Sequence, residues 1–331
     1  MKRHARWTAS ALLALLLCGV TLLAGLRLAA SWHEETGAVP PAGGRLISVP
    51  GAEIYVQLHG PETGTPVLLV HGTAAWSGFW AGVAADLGRN GCRAIAVDLP
   101  PFGFSSRSAE GAYTRRDQAA RLKGLIEALG LPRAIIVGHS FGAGPAVETA
   151  MRHPEKDSGL ILLDGALGLP EGAAYPPDNA LLRAALSQPF LAEPFVSATM
   201  TNSGLTHYLL AGLLHRKAAA NGRQIDILRI PFARQGTTPA YARWLPELIF
   251  PDRDALSAAP ENYTRLAMPA ALIWGREDTV TPLAQGARLQ KLIPGASFDV
   301  IADVGHIPHI EDETAFLILL KRRLGEMSPR K

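Results

Sequence analysis

Cysteine is nearly absent from this sequence, and there is no large excess of charge of one sign. Only Cys18 and Cys92 occur, which excludes a disulfide framework and a cysteine-rich metal site. The net charge is +3 and no basic stripe runs through the body of the chain, so we expect no nucleic-acid partner. There is no internal repeat, and the 33 glycines and 25 prolines follow no collagen-like period. Because 48% of the 331 residues are hydrophobic, intrinsic disorder is excluded, and the chain is long enough to bury a core.

One long uncharged run is present at the N-terminus, from Trp7 to Leu26. As a helix it would be about 30 Å long, the thickness of the hydrocarbon core of a bilayer. Basic residues precede the run, which predicts an N-terminus inside and a body outside the cytoplasmic leaflet. We therefore expect residues 1–34 to be a single-pass membrane anchor, with a cleaved signal peptide of a secreted protein as the alternative. Residues 35–45 contain prolines and glycines and are predicted to be a linker.

From Leu46 onward, short apolar runs alternate with segments of helical periodicity. Unbroken apolar runs are typical of strands covered on both faces, as in a parallel sheet. Alternating strands and helices predict an α/β fold with helices on both faces of the sheet. The strand candidates are 46–49, 53–58, 67–70, 93–97, 134–137, 160–163, 271–274 and 297–301.

The alternation stops between Leu169 and about Arg265. This segment has helical stretches near 180–190, 204–220 and 239–249, and it is too long to be a loop in a compact domain. We expect a helical cap over residues 169–264, placed where α/β sheets bind ligands, at the carboxyl ends of the strands. The core would then comprise residues 46–168 and 265–331.

The motif Gly138-His139-Ser140-Phe141-Gly142 follows the strand candidate 134–137 and precedes a helix of small residues. G-x-S-x-G on a strand–turn–helix is typical of a serine nucleophile, whose sharp turn leaves no room for side chains at the two glycines. For the motif taken alone, a serine that merely caps a helix is the alternative.

A serine nucleophile needs a general base, and histidine is the natural base near neutral pH. His306 follows the last strand candidate, which places it at the same sheet edge as Ser140. His309 is a rival for this role.

The base in turn needs an acid that orients it. Asp278 follows the strand candidate 271–274 and is our first choice, although it also suits a turn or helix cap before Thr281-Pro282. Glu277 and Asp164 are its rivals. An oxyanion formed on the substrate would be held by backbone N–H groups, for which we choose Thr73, in the loop after strand 67–70, and Phe141.

The body from about Leu46 to the C-terminus resembles the α/β-hydrolase fold family, in its capped branch with a serine nucleophile (carboxylesterase- or lipase-like). The resemblance implies an eight-stranded, mostly parallel sheet with strand 46–49 or 53–58 antiparallel, and a cap inserted after the sixth strand. It departs from the family pattern at Pro101, where glycine is usual, so it does not predict the shape of that loop. The matching motifs are Val70-His71-Gly72, Asp98–Ser105, Gly138–Gly142, Trp274–Asp278, and Gly305-His306 with Glu311. The order of the candidate site residues along the chain, Ser140, Asp278 and then His306, is also that of the family.

Our first hypothesis is a serine hydrolase of carboxylic esters, acting on a small-molecule or lipid-like substrate. Serine at position 140 excludes the haloalkane dehalogenases and epoxide hydrolases of this family, which use aspartate there. A second hypothesis is cleavage of a C–C bond in an anionic diketo acid of the ring-cleavage type, suggested by the excess of basic residues in the cap. A third is a catalytically inert, membrane-tethered binding module. The triad chemistry requires no metal and no cofactor.

Overall fold

The computed structural model describes residues 2–35, 37–108, 110–169, 179–250, 252 and 254–327. Of the predicted cap, residues 170–178, 251 and 253 lie outside this part of the chain, as do residues 328–331 of the predicted core.

The strands are β1 (Gly44–Val49), β2 (Ala52–His59), β3 (Thr65–Val70), β4 (Cys92–Val97), β5 (Ala134–His139), β6 (Asp157–Leu163), β7 (Ala270–Gly275) and β8 (Ser297–Ile301). They form one sheet in the order β1-β2-β4-β3-β5-β6-β7-β8. All pairs from β4 to β8 are parallel, and β2 is antiparallel to both of its neighbours. Of the two candidates for the antiparallel strand, 53–58 is therefore the one that opposes the rest. Every predicted strand is present, within three residues at each end.

Helices cover both faces of the sheet, which confirms the predicted α/β architecture. Alternate residues of the central strands point to opposite faces, so that Leu68 and Ile136 belong to one apolar cluster and Leu69 and Val137 to the other. The helices α3 (Arg115–Ala128), α4 (Ala143–Arg152) and α10 (Leu283–Leu292) pack on the first face, and α2 (Ala81–Arg89) and α12 (Glu313–Met327) on the second. A short helix, α11 (Pro308–Glu311), precedes α12.

The inserted segment, residues 179–250, lies between β6 and β7 and forms five α-helices. The predicted stretch near 180–190 is two helices, because Pro189 lacks the N–H that would continue the first and instead begins the second. In the predicted stretch near 204–220, the α-helix ends at Leu213. The sequence pattern did not predict the helix that begins at Gly222. The helices are α5 (Ala180–Leu186), α6 (Pro189–Ala198), α7 (Thr206–Leu213), α8 (Gly222–Arg229) and α9 (Thr237–Ile249).

A single helix, α1 (Lys2–Glu35), forms the N-terminal segment. From Leu12 to Glu35 it is long and apolar enough to cross a membrane, a property that signal sequences share. Its last turns are attached to the inserted segment. The guanidinium Nε of Arg27 lies 2.8 Å from the carboxylate of Glu193 on α6. The buried carboxylate of Glu34 accepts the backbone N–H groups of Gly236 (3.1 Å) and Thr238 (2.8 Å) at the start of α9.

Candidate active site

Ser140 lies at the sharp turn between β5 and α4. Its φ of 51° is in the left-handed region, which is unfavourable for a residue with a side chain and is typical of functional turns. A Cβ at Gly142 would lie 2.4 Å from the carbonyl oxygen of His71, and one at Gly138 would lie 2.8 Å from the backbone of Ala143. Both positions therefore require glycine, for the steric reason expected from the motif.

The structure brings Ser140, His306 and Asp278 together at the carboxyl ends of β5, β8 and β7. His306 Nε2 is 2.8 Å from Ser140 Oγ, and His306 Nδ1 is 2.8 Å from Asp278 Oδ2. All three side chains are buried. These are the contacts that a nucleophile, a base and an orienting acid require.

Asp278 is held by donors on both carboxylate oxygens. Its Oδ1 accepts the N–H groups of Val280 (2.7 Å) and Thr281 (3.0 Å), and its Oδ2 accepts the Thr281 hydroxyl (2.5 Å) as well as His306. Burial by itself would raise the pKa of Asp278, but the hydrogen bonds from His306 and Thr281 and the charge on the imidazole lower it to about 2. The group is therefore an ionised acceptor that fixes His306 with its proton on Nδ1.

The loop after β3 approaches Ser140 closely. A Cβ at Gly72 would lie 3.0 Å from the Cβ of Ser140, and Thr73 lines the same cavity as Ser140. His71 holds this loop: its Nε2 accepts the N–H of Leu99 (3.0 Å), so its Nδ1–H donates to the carbonyl of Gly72 (2.8 Å). Burial lowers the pKa of His71 to about 4, which keeps the ring neutral and in this tautomer. The Gly72–Thr73 peptide is thereby fixed next to Ser140.

The rivals of His306 and Asp278 occupy other places. His309 stacks on Trp80 with ring centroids 4.2 Å apart, and burial lowers its pKa well below the ordinary value. Glu277 is exposed. Asp164 is fully buried beside the triad, and its Oδ1 accepts the N–H of Gly275 at 2.9 Å. Burial and the nearby charge of Asp278 raise the pKa of Asp164 well above its ordinary value, which favours its neutral form.

Donor atoms of Asp164, Asp278 and His306 lie within 4.8 Å of one another, close enough for three ligands of a metal ion. Asp278 and His306, however, are hydrogen-bonded to each other, and His306 is also bonded to Ser140. The arrangement thus suits proton transfer better than metal binding.

Glu311 has a structural role that the sequence pattern did not reveal. Its Oε1 accepts the N–H groups of Gly305 (3.0 Å) and Ile307 (3.3 Å), on either side of His306. Its Oε2 accepts those of His215 (2.7 Å) and Arg216 (2.8 Å) in the inserted segment. One buried carboxylate therefore joins the His306 loop to the inserted segment. A glutamate five residues after a candidate base was the only signal in the sequence.

The loop with Pro101 is closed by the N–H of Phe102, which donates to the carbonyl of Leu99 at 2.8 Å, and its Pro100–Pro101 peptide bond is cis. The buried carboxylate of Asp98 accepts the N–H groups of Ser77 (2.6 Å) and Phe104 (2.7 Å). Phe102 packs against the ring of Trp244 in α9. This loop therefore supports the inserted segment in spite of the missing glycine.

A cavity of about 340 Å³ opens onto Ser140 and His306. Its walls are mostly apolar, and no Asp, Glu, Lys or Arg side chain of the described residues lines it. Much of the lining comes from the inserted segment, including Met200, Leu209, Leu213, Leu228, Phe232 and Leu248. Volume and lining are those of a site for a small, largely apolar ligand.

Comparison with known proteins agrees with the architecture. A sequence model of the alpha/beta hydrolase fold matches residues 65–313. A 2-hydroxymuconate semialdehyde hydrolase of Pseudomonas sp. (strain CF600) is 30% identical over 294 residues, which are 87% of this chain and 95% of that protein.

Two solved structures extend the comparison. A variant of a meta-cleavage product hydrolase from Pseudomonas fluorescens is 25% identical, with a TM-score of 0.67 over 86% of this chain and 98% of that one. A bacterial membrane phospholipase A has a TM-score of 0.67 at 23% identity, over 99% of both chains, and shows likeness of fold. This protein is a hydrolase that belongs to the α/β-hydrolase fold family.

Proposed function

We propose that this hydrolase cleaves carboxylic esters with apolar acyl groups through an acyl-enzyme on Ser140. Ser140 Oγ attacks the acyl carbon while His306 Nε2 takes its proton, and Asp278 holds the imidazole in the tautomer that can do so. The backbone N–H groups of Thr73 and Phe141 hold the oxyanion. His306 then protonates the leaving alcohol, and a water molecule activated by His306 releases the acid.

The cavity is the observation that carries this proposal. An acyl chain gains free energy on leaving water for the apolar walls between Ser140 and the inserted segment. A carboxylate placed there would lose its hydration without meeting a cationic side chain of the described residues, which is costly. The lining therefore favours an uncharged acyl group over an anionic one.

The second candidate is cleavage of a C–C bond in an anionic dienoate, and the relatives favour it, since the one at 30% identity is named for such a reaction. The basic residues of the inserted segment give C–C bond cleavage less support than their number suggests. Arg216 is paired with Asp303 (3.1 Å) and Asp312 (3.0 Å), and Arg234 donates to the carbonyl groups of Gly103 and Ser105. None of them lines the cavity.

A substrate panel separates the two candidates. The purified full chain in detergent is assayed with p-nitrophenyl esters from acetate to laurate and, in parallel, with 2-hydroxy-6-oxo-2,4-heptadienoate. We expect ester hydrolysis that improves with chain length until the cavity is filled, and loss of at least about 10⁴-fold in the Ser140→Ala variant. Turnover of the dienoate at a rate well above that of every ester would reject the ester proposal in favour of C–C cleavage.

We also infer that residues 169–264 form a cap over the active site and that α1 is retained as a membrane anchor. The attachment of Arg27 to α6 supports retention, because cleavage near residue 30 would remove Arg27 and its ion pair. The mass of the protein recovered from membranes tests this directly: a mature chain that begins near residue 31 would show that the helix is a signal peptide.

A further inference from the structure

Exposed apolar side chains are concentrated in the inserted segment. Outside α1, sixteen large apolar side chains are exposed in the described part of the chain, and twelve of them lie between Asn179 and Phe250. Leu181 on α5 is 82% exposed, Phe190 on α6 is 71% exposed, and Tyr208 on α7 is 70% exposed. Such a density of exposed apolar groups marks an interaction surface. We call the exposed apolar residues of α5, α6 and α7 the apolar surface.

The position of this surface is set by α1. Arg27 follows directly on the uncharged run that ends at Leu26, so it marks the level at which this uncharged run of α1 ends. Glu193 on α6 contacts Arg27 at 2.8 Å, which places α6 at that level. If α1 crosses a bilayer, Phe190 and Phe195 lie on the helix next to the boundary between hydrocarbon and headgroups, where aromatic side chains are favourable.

The part of the apolar surface on α7 borders the cavity at Ser140. Leu209 and Leu213 on α7 and Leu248 on α9 line the cavity and are also more than a third exposed. The apolar side chains of α7 and Leu248 therefore give an apolar molecule a route from exposed positions into the cavity.

We propose that the apolar surface is seated in the lipid bilayer that holds α1, and that the substrate is a long-chain acyl ester taken from that bilayer. The substrate assignment rests on the proposed esterase function and is tested by its kinetics. The seating of the apolar surface in the bilayer does not depend on any activity. A bilayer is the occupant that fits, because the surface adjoins a helix that is itself long and apolar enough to span one.

The seating is tested by fluorescence on the full chain reconstituted into phosphatidylcholine vesicles. In a background with Cys18 and Cys92 replaced by serine, a Phe190→Cys variant is labelled with an environment-sensitive dye and exposed to lipids brominated in the acyl chain. Ile318→Cys is the matched control, since Ile318 is equally apolar and 62% exposed but lies on α12 of the core. Val20→Cys on α1 reports whether the helix itself is inserted.

We expect quenching of the dye at positions 20 and 190 and none at 318. Quenching at 20 alone overturns the proposal, and protection of position 190 in a dimer that forms without lipid would assign the surface to a second copy of the chain. Absence of quenching at 20 in folded protein overturns it as well, because α1 would then not be in the bilayer.

The kinetic test compares two substrates on the Phe190→Ser/Phe195→Ser variant, with Ile318→Ser as the control. We expect the double variant to hydrolyse a short water-soluble ester at the wild-type rate and a vesicle-embedded long-chain ester about tenfold more slowly or worse. An unchanged rate on vesicles would contradict the substrate assignment. If the wild type hydrolyses neither ester, the proposed esterase function fails, while the fluorescence result still decides the seating.

Discussion

Two buried aspartates lie beside His306, and the matched variants Asp278→Asn and Asp164→Asn distinguish their roles. In Asp278→Asn, the side-chain oxygen can still accept the N–H groups of Val280 and Thr281, so the amide NH₂ faces His306 Nδ1. The imidazole must then accept at Nδ1 and carry its proton on Nε2, where it faces Ser140 and cannot take the serine proton. We expect kcat to fall about 10⁴-fold, which corresponds to about 5 kcal/mol of transition-state stabilisation.

Asp164→Asn has a different expected result. The pKa of Asp164 is raised well above its ordinary value by burial and by Asp278, which favours the neutral form, and an amide resembles that form in charge and size. Its oxygen can still accept the N–H of Gly275. We expect kcat within about fivefold of the wild type, since no charge near the imidazole has changed.

The assay measures hydrolysis of the ester that the wild type hydrolyses best in the panel. The rate of labelling by a fluorophosphonate probe reports the reactivity of Ser140, and thermal unfolding shows that each variant is folded. Because the pKa of Asp278 is lowered to about 2, the carboxylate stays ionised throughout the usual assay range and should contribute no titration there. A loss of 10³-fold or more in Asp164→Asn, with Asp278→Asn near wild type, would refute this assignment of the acid.

Three further predictions concern stability. Gly142→Ala should destabilise the protein by more than about 2 kcal/mol, because the new Cβ would meet the carbonyl oxygen of His71. Gly212→Ala on α7 has open space around it and should be neutral or stabilising by up to about 1 kcal/mol. Urea unfolding of the two variants measures this difference. Glu311→Ala should lower the Tm and speed hydrogen exchange at the four backbone N–H groups that donate to this carboxylate. The effect should be smaller in Glu311→Gln, because the amide oxygen can still accept hydrogen bonds. Equal effects in the two variants would argue against the hydrogen bonds as the cause. Burial raises the pKa of Asp157 to about 8, so the native state favours the protonated form, and stability is lost as the pH rises from about 4 to about 8. Asp157→Asn should therefore have a Tm at least about 2 °C above that of the wild type at pH 9, with a smaller difference at pH 4, and an unchanged difference would reject this origin.

The strands of the sheet and the turn that carries Ser140, the proposed nucleophile, could be predicted from the sequence alone. Apolar runs and helical periods are local patterns, so all eight strands could be predicted. The turn at Ser140 could be predicted because its five-residue motif is local as well, although the contact that requires glycine at position 142 is with the distant residue His71. The helices of the inserted segment were predicted less well, because their pattern is interrupted by prolines and their packing partners are distant in sequence.

Tertiary structure decided which acid and which histidine reach Ser140. The sequence offers Asp164, Glu277 and Asp278 at neighbouring strand ends, and only the packing of the loops places one of them 2.8 Å from His306 Nδ1. The links from Glu311 and from α1 to the inserted segment join residues separated by about a hundred positions or more. Such contacts cannot be predicted from the periodicity of the sequence, because the distance between the two residues depends on how the helices and strands pack.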